Sequence, residues 1–412
     1  MSRQCREGQA TMVERLMARP ARSVMVLAMA VSAVATALLA ATTRDASHWL
    51  WGVLATVAYL GAFASAACGY PRAALRVAAL GGALLPAVVL VTAGIGQPEI
   101  GVVERSARVL LHTGSPYLAA PAGPDDVNPY LPLMAAFGLP RQLFGDSVLG
   151  DPRPWFLAVF LPALAASSHF SRTTTVGPDD NSFGALLRRP GMLVWAVLGC
   201  PIIALPAAVG GHDLPVVALL CLGLVLAVRA RAVPAGLVLG LAAALKQSAW
   251  PAAAVAIALL TVVAGTGAAW RCALVACTVV ALAVVPVIVV PTAASAVGQL
   301  AGFPLGAGGI ASPATTPTPG VLLARAGPVA RLVGLGVLGA TVLTLAVWLL
   351  RCPPRSLAGA ATLGASAETL AALVLPTSRA GYLVYPVVLL LFAWTAGREP
   401  PDKPPRGGGA GP

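Results

Sequence analysis

Charge is what this sequence has least of. Only 10% of its 412 residues are Asp, Glu, Lys or Arg, against about 25% in a soluble domain, so most of the chain cannot face water. Lysine is nearly absent: Lys246 and Lys403 are the only two. The four histidines lie far apart, a poor basis for a His-held metal site. The seven cysteines (Cys5, Cys68, Cys200, Cys221, Cys272, Cys277 and Cys352) form no C-x-x-C, and most lie inside apolar runs. They read as small packing residues, not as metal ligands or a disulfide frame. A P-loop, a strand–helix G-x-G-x-x-G, an H-E-x-x-H and a G-x-S-x-G are all missing. No fixed-period repeat occurs.

What is present is apolar. The chain is 58% hydrophobic with a mean hydropathy of +0.84. In a bilayer every backbone N–H and C=O must be paired internally, which leaves spanning helices or a closed barrel. The runs are long and rich in Ala, Leu and Val, not short and alternating, so helices are expected. They cover roughly 24–42, 50–68, 77–94, 154–170, 191–209, 214–228, 233–246, 250–266, 271–291, 328–350, 357–375 and 381–397. The expected fold is an all-α, polytopic transmembrane bundle of about twelve spans. Several runs fall short of the ~20 residues of an untilted span, and 233–266 could be one broken unit.

The net charge of +12 would suggest nucleic acid in a soluble protein. Here the arginines sit in short loops, and the positive-inside rule accounts for them; no nucleic-acid partner is expected. Placing Arg72, Arg76, Arg172, Arg188, Arg189, Arg229, Arg231, Arg271, Arg351, Arg355, Arg398, Lys403 and Arg406 in the cytoplasm gives a consistent alternation. Both termini are then inside, and the protein is a multi-pass chain of the plasma membrane. Residues 1–22 are a basic cytoplasmic segment with no clear cleavage site after them. Residues 23–397 form the membrane domain, and 398–412 a Pro/Gly-rich, disordered cytoplasmic tail. The alternation requires that 131–144 does not cross, so it is expected as a re-entrant or interfacial helix. The opposite face then receives loop 95–130, the turn Gly210-Gly211-His212-Asp213, the break Lys246-Gln247-Ser248-Ala249-Trp250-Pro251, the turn Pro376-Thr377-Ser378-Arg379, and 292–327, expected as a mobile loop.

Polar residues on that face need a reason. Over 99–112, Val102, Val103, Val109 and Leu110 can share one helical side while Glu104, Arg105 and Arg108 lie elsewhere, as in an amphipathic interfacial helix. The residues themselves leave two readings open: solvated charges on an interfacial helix, or a carboxylate held over a cavity. Lys246 ends an apolar run, where a charge costs roughly 2.5–3.5 kcal/mol on insertion scales. It either snorkels to the interface or binds a lipid-linked phosphate. His212 and Asp213 either fill an ordinary turn or line the same cavity as Glu99. Arg379, beside Tyr382 and Tyr385, is equally open, since those tyrosines also suit an aromatic belt.

Four stretches together resemble a known family. They are Glu99…Gly114-Ser115-Pro116-Tyr117…Asn128-Pro129-Tyr130-Leu131-Pro132; Gly210-Gly211-His212-Asp213-Leu214-Pro215; Ala235-Gly236…Leu245-Lys246-Gln247-Ser248-Ala249-Trp250-Pro251; and Ser378-Arg379-Ala380-Gly381-Tyr382-Leu383-Val384-Tyr385-Pro386. In that order, over about 90–390, they resemble the GT-C glycosyltransferases. Within these they are most similar to the actinobacterial family 87 mannosyltransferases that use polyprenyl-phosphate-mannose. Glu stands where the family usually has a catalytic Asp, Val103 replaces an aromatic residue, and Leu131 replaces the first Pro of a pair. Two or three spans, not one, precede the loop.

The resemblance implies an integral membrane glycosyltransferase that moves a sugar, mannose in the family, from a polyprenyl-phosphate donor to a glycolipid or glycan acceptor on the outer face. It implies Glu99, or Glu104, as the base that takes the acceptor proton. Lys246 and Arg379 would hold the lipid phosphate. Tyr117, Asn128, Tyr130, His212, Asp213, Gln247 and Tyr382 would line the donor and acceptor sites. No cofactor is implied, and a divalent-metal requirement stays open. A transporter or lipid flippase, or a non-catalytic relative of the enzymes, is the alternative, although no inverted repeat speaks for transport.

Overall fold

A computed structural model describes residues 12–171, 180–290, 293–307, 309–314 and 316–396. The expectations for Arg172, Arg398, Lys403, Arg406, residues 1–11 of the first segment and the tail 398–412 fall outside these residues. The described residues are helical, with a single bridge between Pro20 and Ser182 and no strand.

Each apolar run becomes helix, because an Ala/Leu/Val-rich segment has no other way to satisfy its backbone in lipid. Seven helices are long and apolar enough to cross a membrane: Ala21–Thr42, Ala46–Ala67, Pro71–Thr92, Gln247–Ala264, Thr266–Ile288, Pro328–Arg351 and Leu357–Val374. An eighth span exists if Met192–Leu198 and Pro201–Val209, bent by 71°, count as one. Asp213–Val228, Ala232–Leu245 and Ala380–Thr395 are apolar but shorter. The run 154–170 is the helix Pro152–Phe170, which carries Arg153 and an internal Pro162. Length and composition thus carry seven or eight of the twelve expected spans.

Two local devices bring the backbones together. Gly81 and Gly82 sit in a π-turn, Leu80–Leu84, against Ala58 and Tyr59 of the neighbouring helix. Pro86, four residues on, has no N–H to give the Gly82 carbonyl, and Trp51 Nε1 donates to it at 2.8 Å. On Ala232–Leu245, Gly236 and Gly240 face Cys272 and Ala276 of Thr266–Ile288. A Cβ at Gly240 would stand 2.9 Å from the Ala276 backbone. This four-residue spacing of small residues is the usual route to close helix contact in lipid.

Loops gather at two ends. One end holds the turns around 68–70, 180–191, 229–231 and 352–356, and is tied by Arg22 to the Ala67 carbonyl and by Arg229 to that of Phe170. The other end holds 43–45, 93–151, 210–212, 246–249, the described residues of 293–327, and 375–383, linked by the contacts described below. The stretch 292–327, expected as a mobile loop, has local structure among its described residues. It contains the helical pieces Ala293–Val297, Gly298–Gly302 and Pro319–Ala326, and buried Gln299 accepts from the Asn128 N–H and donates to the Leu118 carbonyl. Residues 132–144 form the 3₁₀ segment Pro132–Gly138 and the helix Leu139–Phe144.

Candidate functional site at one end of the bundle

The helix Pro98–Thr113 carries the first candidate acid. Gln97 is its N-cap, Pro98 holds the first turn, and Glu99 follows, a favourable place for a carboxylate beside unpaired N–H groups. Gly114, in the left-handed region, ends it. Its buried side is Ile100, Val102, Val103, Ser106 and Ala107. The expected stripe was Val102, Val103, Val109 and Leu110; the last two are only partly buried. The stripe rotates because the helix lies on Pro132–Gly138, where a Cβ at Gly138 would collide with the Val103 carbonyl and Ala107.

Glu99 forms an ion pair with Arg379, 280 residues away. Glu104 does not join it. Five residues on is about 140° around a helix, so Glu104 faces Arg141 at 3.9 Å instead. Burial raises the Glu104 carboxyl above its ordinary range, with Arg141 pulling the other way.

Lys246 ends Ala232–Leu245 in extended conformation and is buried. Its Nζ donates to Asp213 Oδ1 at 2.5 Å and lies 3.1 Å from His212 Nε2. An ammonium has donors only, so His212 Nε2 accepts and the ring proton belongs on Nδ1. Burial, ahead of the neighbouring charges, pushes the His212 imidazole below its ordinary range. Asp213 Oδ1 also accepts from the Tyr385 hydroxyl at 2.6 Å, which accepts from Ser248 Oγ at 2.7 Å. Above the ammonium stand the rings of Tyr382, 4.6 Å from Nζ, and Tyr130, 5.6 Å away. Tyr130 also packs on His212 with ring centroids 4.7 Å apart. Aromatic faces of this kind stabilise a desolvated cation.

Glu99, Tyr130, His212, Asp213, Lys246, Arg379 and Tyr382 thus meet at one end of the bundle. The remaining candidates are walls. Tyr117 donates to the Tyr130 carbonyl at 2.7 Å, and Asn128 accepts from the Tyr130 N–H and donates to the Pro116 carbonyl. Both spend their polar atoms on shaping the loop that presents Tyr130. Gln247 donates to the Leu300 carbonyl, fastening the segment 293–302 beside Lys246.

Sequence reasoning missed several contributors. Tyr385 and Ser248 lie within stretches that carry the resemblance, but the sequence assigns neither a role in the site. Glu368, mid-helix in Leu357–Val374, is buried, and its Oε1 has no hydrogen-bond partner. Its signal was available, since a carboxylate inside an apolar helix is a functional candidate by default. Arg153, almost fully buried, is gripped by Asp151. Among the described residues no three His, Cys, Asp or Glu side chains gather as a metal-ligand set.

The fold and this polar end define a class: an all-helical, multi-pass membrane protein. Compared with known proteins, the chain matches no family model, no curated protein and no solved structure.

Proposed function

We propose that this chain is an integral membrane glycosyltransferase of GT-C type. It would move a sugar, mannose by the resemblance, from a polyprenyl-phosphate donor to a glycolipid or glycan acceptor at the outer face. The observation that carries the reading is the meeting of two acid–cation pairs, Glu99 with Arg379 and Asp213 with Lys246, with Tyr130, Tyr382 and His212 around them.

The resting charges are balanced in pairs, Glu99 with Arg379 and Asp213 with Lys246. In the transfer, an acceptor hydroxyl oxygen attacks the anomeric carbon. The bond from that carbon to the phosphate oxygen breaks, and its electron pair leaves with the phosphate. The hydroxyl proton passes to Glu99. Glu99 then loses its charge as the phosphate gains one, so Arg379 exchanges a carboxylate for a phosphate at no change in net charge. Arg379 suits this exchange, because its side chain is 41% exposed while that of Lys246 is 7% exposed. Lys246, neutralised by Asp213, adds no net charge and instead anchors the rings of Tyr130 and Tyr382 and the imidazole of His212 around it.

Glu99→Gln is expected to lower sugar transfer from a polyprenyl-phosphate donor in membranes by about 10²–10⁴-fold with expression unchanged. Full transfer by both Glu99→Gln and Glu104→Gln overturns the assignment. The buried Lys246–Asp213 pair and the buried Glu368, whose Oε1 has no partner, also suit a proton- or ion-coupled transporter. Substrate flux in proteoliposomes without any transfer product would favour that reading.

A further inference from the structure

Two segments have to stay in register for the acid and the His212–Asp213 turn to face one another: 95–99, which starts the acid helix, and 208–213. They are laced together by backbone. The Gln97 N–H donates to the Val209 carbonyl at 2.8 Å. Arg153 Nη1 donates to both the Ile95 carbonyl at 2.8 Å and the Ala208 carbonyl at 3.0 Å. Asp151, the N-cap of Pro152–Phe170, holds that guanidinium at Nε and Nη2.

A second arrangement of the same kind grips the Gln97 side chain. Asp45 caps the helix Ala46–Ala67 by accepting from the His48 N–H at 3.0 Å. The same oxygen accepts from Ser47 Oγ at 2.5 Å and lies 2.9 Å from His48 Nδ1. His48 Nε2 lies 3.2 Å from Gln97 Nε2. On its other side the Gln97 amide fills the space at Gly210, where a Cβ would stand 2.9 Å from Gln97 Oε1. The amide is therefore wedged between an imidazole and the glycine that begins the His212 turn. Burial pushes the Asp45 carboxyl up, but hydrogen bonds from Ser47 and His48 outweigh it and hold the group at about 2.

We infer that Asp45, His48 and Gln97 form a positioning chain that holds the Glu99 helix against the Gly210–Asp213 turn. The inference rests on the glycosyltransferase reading only for its activity readout. None of the three is a catalytic residue, because each acts through Gln97 on the backbone that carries Glu99 and His212. Loss of the chain loosens the near-attack geometry without removing a substrate contact, so kcat falls while KM holds.

The test uses the full chain in nanodiscs, with His48→Leu, His48→Gln and Gln97→Ala. His48→Gln places an amide oxygen where Nε2 accepts. In His48→Leu and Gln97→Ala, amide hydrogen exchange is expected to rise about tenfold or more in both 99–103 and 208–213, while His48→Gln stays near wild type. With a polyprenyl-phosphate-sugar donor, kcat is expected to fall about tenfold in the first two variants with KM unchanged. The double variant His48→Leu/Gln97→Ala should be no worse than either single one. Unchanged exchange in both segments of His48→Leu and Gln97→Ala overturns the positioning chain. Raised exchange in a protein whose wild type transfers no sugar supports the chain and overturns the glycosyltransferase reading instead.

Discussion

A buried ammonium is tolerable when its counterion is already in place, and Lys246 has Asp213 at 2.5 Å. Removing one partner strands the other in a low-dielectric site, a cost of about 3–5 kcal/mol. Lys246→Met and Asp213→Leu are each expected to lower the thermal unfolding midpoint in detergent, whereas the double variant recovers much of the loss. A double-mutant cycle on unfolding midpoints checks this. Asp45 offers a pH readout. Its folded pKa lies below the unfolded value of about 3.9, so its stabilisation is full above that value and is lost as pH falls toward 2. Asp45→Asn should flatten the stability profile between pH 5 and 2. At this scale the sequence was legible wherever rarity marked a residue. Lys246, the only lysine before the tail, and Glu99 both stood out. Tyr385, Ser248 and His48 did not, because a tyrosine, a serine or a histidine near a helix end has an ordinary explanation until its partner is known.

Elements follow the apolar pattern closely, yet their faces do not. The helix Pro98–Thr113 was expected from its period, but which side it buries depends on Gly138 beneath it. Its partner selects Ile100, Val102, Val103, Ser106 and Ala107 over Val109 and Leu110. Glycines show where backbones touch. Gly240→Leu is expected to wedge Ala232–Leu245 away from Thr266–Ile288, displacing Lys246 at the end of the first. Overpacking of this kind costs about 1–3 kcal/mol, read as a lower unfolding midpoint in detergent. Trp51→Phe leaves the Gly82 carbonyl without its donor, an expected cost of about 1–3 kcal/mol in the same measurement. The π-turn itself was hidden: Gly81-Gly82 reads as weakness in a helix, and only the opposing Trp51 gives the Gly82 carbonyl somewhere to go.

For the whole molecule, the two loop ends differ in chemistry. One, the arginine end, carries Arg72, Arg76, Arg188, Arg189, Arg229, Arg231, Arg351 and Arg355 with few acids; the other also carries arginines, Arg44, Arg105, Arg108, Arg141, Arg153, Arg325, Arg331 and Arg379, but they stand beside Asp45, Glu99, Glu104, Asp125, Asp126, Asp146, Asp151 and Asp213. The positive-inside rule predicts the arginine end on the cytoplasmic side. Exposed Cys68 and Cys352 lie at the arginine end, and Ser147 at the other. An impermeant thiol reagent on intact cells is therefore expected to label Ser147→Cys in a background lacking native cysteines. Cys68 and Cys352 should label only after permeabilisation. Labelling in the reverse pattern would place the site in the cytoplasm and overturn the outer-face assignment.

The sequence by itself determined that the chain is helical and lives in a membrane, because apolar length and missing charge are local properties that lipid reads one segment at a time. It also located the helices to within a few residues, since Pro, Gly and polar breaks end them. Only the tertiary structure decided which polar groups meet. Glu99 reaches Arg379 across 280 residues and Lys246 reaches Asp213 across 33. Such pairings depend on how helices rotate and stack, and in lipid that is set by close backbone contact and polar satisfaction, neither of which is written in the composition of any one segment.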